Sequence, residues 1–221
     1  MRGTTGKQGA SPKQCEESGI LSCYEAFPRE ELEETGIVPS EEDLGNVCPG
    51  VLKMVKCVEE YTADCVDPSS HAYAFHNHEA ELYKEICNAS SSARANYLRN
   101  IECYQRLARL MIFQQCFQDG KNAYRLYIES VESIDPEKKF HQDCLELTYS
   151  WGCAAAEVKN KCSEEAYSVF LEIGRLRDST LISFLCSHPH YEKELSGILQ
   201  SVGASEEDKL IFNEMFRIMR N

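Results

Sequence analysis

Cys48-Pro-Gly-Val-Leu-Lys-Met-Val-Lys-Cys57-Val-Glu-Glu-Tyr-Thr-Ala-Asp-Cys65 returns, far along the chain, as Cys144-Leu-Glu-Leu-Thr-Tyr-Ser-Trp-Gly-Cys153-Ala-Ala-Ala-Glu-Val-Lys-Asn-Lys-Cys162. The first run continues to Cys87 as C-x8-C-x7-C-x21-C, and the second to Cys186 as C-x8-C-x8-C-x23-C. Corresponding cysteines lie 96 (144 − 48) to 99 (186 − 87) positions apart. Upstream, Cys15 and Cys23 correspond to Cys103 and Cys116, with offsets of 88 and 93, so each half owns six cysteines. Apolar positions travel with them: Val51 and Val55 fall on Leu147 and Trp151, Leu82 and Ile86 on Leu181 and Leu185, and Tyr24 on Phe117. The pattern reads as a tandem duplication of a module small enough to need cross-links beside its hydrophobic core.

The C-x8-C interval also carries geometry. Nine residues at 100° each come to 900°, which places Cys48 and Cys57 on opposite faces of one helix, and likewise Cys144 and Cys153. Each such helix is expected to be stapled to two neighbours, with the same connectivity in both halves and no bond between them. Pro49, beside Cys48, is expected to mark a helix start or a kink.

All 12 cysteines are read as disulfide partners, in an oxidising and therefore secreted, extracellular setting. Structural zinc usually needs cysteine pairs two to four residues apart, and no pair here is closer than C-x7-C. Free thiols in a cytosolic chain are the other alternative. The formal net charge of −13 in 221 residues, with no cluster of Lys and Arg, argues against nucleic acid or an anionic membrane as a partner. No stretch approaches the roughly 18 uncharged apolar residues of a membrane span; the best candidate, Leu107 to Phe117, is short and contains Arg109.

Helix signals dominate. Ser40-Glu41-Glu42-Asp43 and Ser205-Glu206-Glu207-Asp208 read as caps followed by acids in a first turn, and Asp135-Pro136 as a further start. Alternating β-branched and aromatic runs bounded by hairpin turns are missing. The expected fold is all-α, a disulfide-rich helical bundle built from two tandem six-cysteine modules. Its expected division is a disordered tail over 1–14, module 1 over 15–90, module 2 over 91–187 and a helical extension over 188–221. The tail lacks the apolar core of a signal peptide. Two cysteine-free helices are expected near Tyr191 to Ser201 and Ser205 to Arg220, the last burying Ile211, Phe212, Met215, Phe216 and Met219 on the second module. The small polar segment Asn88 to Asn96 marks the boundary, and Asn88-Ala89-Ser90 is a glycosylation sequon there.

No catalytic, cofactor-binding or metal site is expected. His71, His76, His78 and Glu79 form the densest group of possible metal ligands, but spacings of five and two do not share a helix face, and a solvated polar face is the expectation. His141-Gln142-Asp143-Cys144 resembles the catalytic helix of secreted phospholipases A2, which would make His141 the base that activates water. The paired cysteines before that histidine and the glycine-rich calcium loop are missing, so His141 is expected to be a surface residue.

In its wide cysteine spacing, acidity and helical character, the stretch from 15 to 187 resembles the small cysteine-rich helical glycoproteins of arthropod haemolymph and, more distantly, helical cysteine-rich secreted domains of nematodes. A weaker likeness is to the helical modules of growth-factor co-receptors, whose tight C-x-C pairs this chain lacks. The expectation is a secreted carrier without catalysis, holding an apolar small molecule between helices or between modules. The alternatives are an extracellular structural or protein-interaction component of a secretion or matrix, and a phospholipase-like hydrolase acting through His141. The 11 Tyr, 9 Phe and Trp151 suit a packed core and an apolar cavity wall equally.

Overall fold

The computed structural model describes residues 15–35, 38–130, 138–188 and 190–220. They form helices α1 (Glu17–Tyr24), α2 (Arg29–Thr35), α3 (Glu41–Cys65), α4 (His71–Asn77), α5 (Ala80–Cys87), α6 (Ser92–Arg109), α7 (Ile112–Ser130), α8 (Lys138–Lys161), α9 (Glu164–Leu185), α10 (Tyr191–Ser201) and α11 (Glu206–Arg220), with no strand among the described residues. The all-α expectation holds. The expected tail over 1–14 and the Asp135-Pro136 start lie outside the described residues, as do the side chains of His71 and His141.

Local chemistry sets the helix starts. Ser40 Oγ accepts from the Asp43 amide at 3.2 Å while Asp43 accepts from the Ser40 amide at 2.8 Å, a reciprocal cap that opens α3. Ser205 and Asp208 repeat the device at α11, with the Asp208 amide donating to Ser205 Oγ at 3.1 Å. Pro49 therefore does not start a helix; it sits inside α3, where it has no amide to donate to the carbonyl one turn back. The boundary segment is shorter than expected. Ser91 is buried and caps α6, accepting from the Ala93 amide at 3.1 Å, and Arg94 donates to the Ile86 carbonyl at 3.1 Å. Ala93 and Ala95 thus belong to a helix rather than to a linker, because Ser91 supplies the cap their small side chains cannot.

Six disulfides form: Cys15–Cys65, Cys23–Cys57 and Cys48–Cys87, then Cys103–Cys162, Cys116–Cys153 and Cys144–Cys186, with no cysteine left free. In chain order both sets connect first to fifth, second to fourth and third to sixth, and no bond joins one set to the other. The opposite-face geometry explains this. α3 is tied through Cys57 to α1 and through Cys48 to the end of α5; α8 is tied through Cys153 to α7 and through Cys144 to the end of α9. The third bridge of each set clamps the C-terminal end of the central helix. Such a density of disulfides suits an oxidising environment.

Packing is less partitioned than cross-linking. Ile20, Cys23, Val51, Met54, Val55, Val58 and Ala80 form a small cluster among the first helices. Leu44 and Cys48, from the same helices, join the larger cluster built on α6 to α11. α11 lies on α8 and α9 and buries Ile211, Phe212, Met215, Phe216 and Met219, as the stripe predicts. Its approach depends on two residues without side chains: the Phe212 ring lies against Gly152 and the Met215 methyl against Gly174. No described helix is long and apolar enough to cross a membrane.

Candidate functional site

Where α4 ends and α5 begins, the chain places His76, His78 and Glu79 beside α9. The expectation of a solvated face fails for the last two, whose side chains keep only 20% and 28% of their exposure. The physical reason is that α9 packs on both α4 and α5 and so covers the junction after Asn77, where His78 donates through Nδ1 to the Phe75 carbonyl. Glu79 gathers three partners. Arg177 donates to its Oε1 at 3.1 Å, Tyr83 donates to Oε2 at 2.6 Å, and Nε2 of His78 lies 3.6 Å from Oε1. Beyond Arg177 lies Asp178, buried at 4% exposure, which accepts from the indole of Trp151 at 2.6 Å and has Arg177 Nε at 3.9 Å. Two carboxylates, a guanidinium and an imidazole thus meet in the seam between the two cysteine sets.

Their ionisation follows from the surroundings. Burial opposes the Glu79 charge, but His78, Arg177 and Tyr83 outweigh it and bring its pKa down to about 2. Burial likewise opposes the His78 cation, and the Glu79 carboxylate, the Phe75 carbonyl and Asp178 overcome it, leaving His78 above the usual imidazole range. Asp178 goes the other way: desolvation dominates, and its pKa is raised despite Arg177 and Trp151.

In front of this network lies a cleft of about 200 Å³, lined by Tyr24 of α1, by Met54, Val55 and Val58 of α3, by Phe75 and His76 of α4, and by His78, Glu79, Ala80 and Tyr83. Met54, Val55, Val58 and Ala80 are buried, whereas Phe75 is 59% exposed and forms the rim. Besides His78, Glu79 and Tyr83, the polar lining is the Tyr24 hydroxyl and Nδ1 of His76, hydrogen-bonded to each other at 3.2 Å. Burial first, and then the neighbouring His78, hold His76 below the ordinary imidazole range, and burial raises the Tyr24 phenol. A second, open groove of about 610 Å³ shares Tyr24 and runs along Leu21, Phe27, Pro28, Asn46 and Gly50. Both depressions are lined by residues from Leu21 to Tyr83, within the first cysteine set.

Of the sequence candidates, the structure brings His76, His78 and Glu79 together as one wall and its ionic backing, and among the described residues no group of His, Cys, Asp and Glu is placed to hold a metal ion. Asn88 is exposed in the turn after α5, its side-chain oxygen accepting from the Ser90 amide at 3.1 Å and the Ser90 hydroxyl at 2.9 Å. Sequence reasoning missed Trp151, Arg177 and Asp178 as a polar site. A signal did exist: Leu171, Gly174, Asp178 and Ile182 form one helical stripe, in which a carboxylate is the odd member. No protein-family model matches the chain, and no curated protein or solved structure is significantly similar to it.

Proposed function

We propose that the protein is a secreted, extracellular carrier that binds a small, largely apolar molecule in the cleft between α1, α3, α4 and α5, without catalysis. One observation carries this reading: a concave apolar wall of Met54, Val55, Val58, Phe75 and Ala80 with a few polar groups at its edge, the general form of a small-molecule site. The disulfide sets support the extracellular setting, since six bridges resist unfolding where no chaperone restores the fold. Exposed Asn88, with its sequon serine already hydrogen-bonded to it, is the proposed glycan position.

A second reading, an extracellular structural or interaction component, draws on exposed apolar side chains outside the cleft: Leu110 and Met111 in the turn between α6 and α7, and Leu210 on α11. Titration with toluene, followed by NMR shifts of the Val55 and Val58 methyls, separates the two. Saturable shifts that vanish in Ala80→Leu, which fills the cleft, support the carrier. Shifts that never saturate, or that persist unchanged in Ala80→Leu, refute it.

A further inference from the structure

We infer that the molecule held in the cleft has a body about the size of one six-membered ring and a single uncharged hydrogen-bonding head, as in a phenol or a short alcohol, and that the Tyr24–His76 pair reads that head. This rests on the cleft being the binding site and adds the chemical class of its ligand.

Size comes first. A dry apolar void of about 150 Å³ holds benzene, so a cleft of about 200 Å³ holds one ring, with its open side leaving room for a small head. Long acyl chains and polycyclic molecules would leave most of their surface outside it. The head follows from the polar lining: His78, Glu79 and Tyr83 are engaged with one another and with Arg177, which leaves the Tyr24–His76 pair to meet a ligand. When Tyr24 donates to Nδ1 of His76, Nε2 carries the proton and donates to a ligand oxygen; in the other tautomer Nδ1 donates to Tyr24 and Nε2 accepts. A hydroxyl, which both donates and accepts, is served by either tautomer, and among the described residues no protein group takes Nε2.

Neutrality follows from the charges around the cleft. From α3 only Met54, Val55 and Val58 face it, all uncharged; α1 supplies Tyr24, α4 His76, the α4–α5 junction His78 and Glu79, and α5 Tyr83, with Arg177 and Asp178 of α9 behind. Those charges already satisfy one another. Because each acid is already matched by His78 or Arg177, a charged head of either sign finds no unpaired counter-ion to offset the loss of its hydration. His76, kept in its neutral form by burial and by His78, supplies no counter-ion near neutral pH.

Six probes share one body and differ only in the head: toluene, p-cresol, p-toluate, p-toluamide, 4-methylbenzylamine and 4-methylbenzyl alcohol. Near neutral pH, p-cresol is expected to bind about three- to tenfold more tightly than toluene, the yield of one net hydrogen bond, and p-toluate and 4-methylbenzylamine more weakly than their neutral counterparts of equal size, p-toluamide and 4-methylbenzyl alcohol. His76→Phe is expected to bring p-cresol to the level of toluene while toluene changes less than about twofold, and His76→Gln to keep part of the preference. Equal affinities for toluene and p-cresol, or an ion bound more tightly than its neutral counterpart, overturn the inference while leaving the cleft as a binding site. Failure of all six probes to bind overturns the cleft itself.

Discussion

Replacing Gly152 by alanine pits two effects of opposite sign against each other. Within a helix, alanine is favoured over glycine by about 1 kcal/mol. In α8, however, a Cβ at this position would lie 2.6 Å from Cγ and 2.7 Å from Cε1 of Phe212, whose ring is buried and cannot swing away as a flexible chain end would. Overpacking of this kind costs about 1–3 kcal/mol, so the net change is a loss of up to about 2 kcal/mol. For a chain of this length that is a fall of up to about 8 °C in Tm, read by circular dichroism with the disulfides intact. Gly45→Ala is the internal control: nothing lies within 4 Å of its Cβ, so the propensity gain stands alone and Tm rises by about 2–4 °C. Combining Gly152→Ala with Phe212→Leu relieves the crowding and reverses the sign of the alanine effect. A rise in Tm for Gly152→Ala in the otherwise unchanged chain refutes the packing of α11 on α8.

Asp178→Ala leaves the half-buried indole N–H of Trp151 without its acceptor, a loss of about 1–3 kcal/mol partly offset by removing a poorly solvated carboxylate. Because Trp151 is the only tryptophan, its fluorescence maximum shifts with the substitution, whereas Asp178→Asn keeps an acceptor and shifts it less. Glu79 sets an acid limit. Its pKa falls from 4.5 unfolded to about 2 folded, so its contribution is complete above 4.5 and is lost as pH drops toward 2, on the order of 3 kcal/mol in all. Urea unfolding between those values becomes less pH-dependent in Glu79→Gln. His78 has the opposite sense: its folded pKa is raised, so its contribution is present below the usual imidazole pKa and fades as pH rises through the folded value. Removing the 34-residue-spaced bridge with Cys23→Ser and Cys57→Ser costs about 4 kcal/mol by loop entropy and, because Cys23 adjoins Tyr24, weakens the preference for p-cresol over toluene.

Much of the scaffold is legible in local sequence. Ser40 with Asp43 and Ser205 with Asp208 announce α3 and α11 because a cap is made within four residues, and the stripe from Ile211 to Met219 announces which face of α11 is buried. The C-x8-C interval likewise places two cysteines on opposite sides of one rod. Pairing among six cysteines is a different matter, since it depends on which helices lie side by side. The candidate site is harder still. Glu79 and Arg177 are 98 residues apart, and nothing in either neighbourhood marks the other as its partner. The half-buried state of His78 and Glu79 is set by α9 packing on α4 and α5, about a hundred residues away in the chain, which no local spacing announces. The Tyr24–His76 pair spans 52 residues and depends on how α1 and α4 each pack on α3, a tertiary fact with no local signature.

Peptide mapping by mass spectrometry of the unreduced protein, taken from the cells that make it, tests the foundation most directly. The account predicts six linked pairs and no free thiol, with Cys15–Cys65, Cys23–Cys57 and Cys48–Cys87 on one side of Arg94, and Cys103–Cys162, Cys116–Cys153 and Cys144–Cys186 on the other. A single bridge joining a cysteine before Arg94 to one after it, or a population of reduced cysteines, contradicts it.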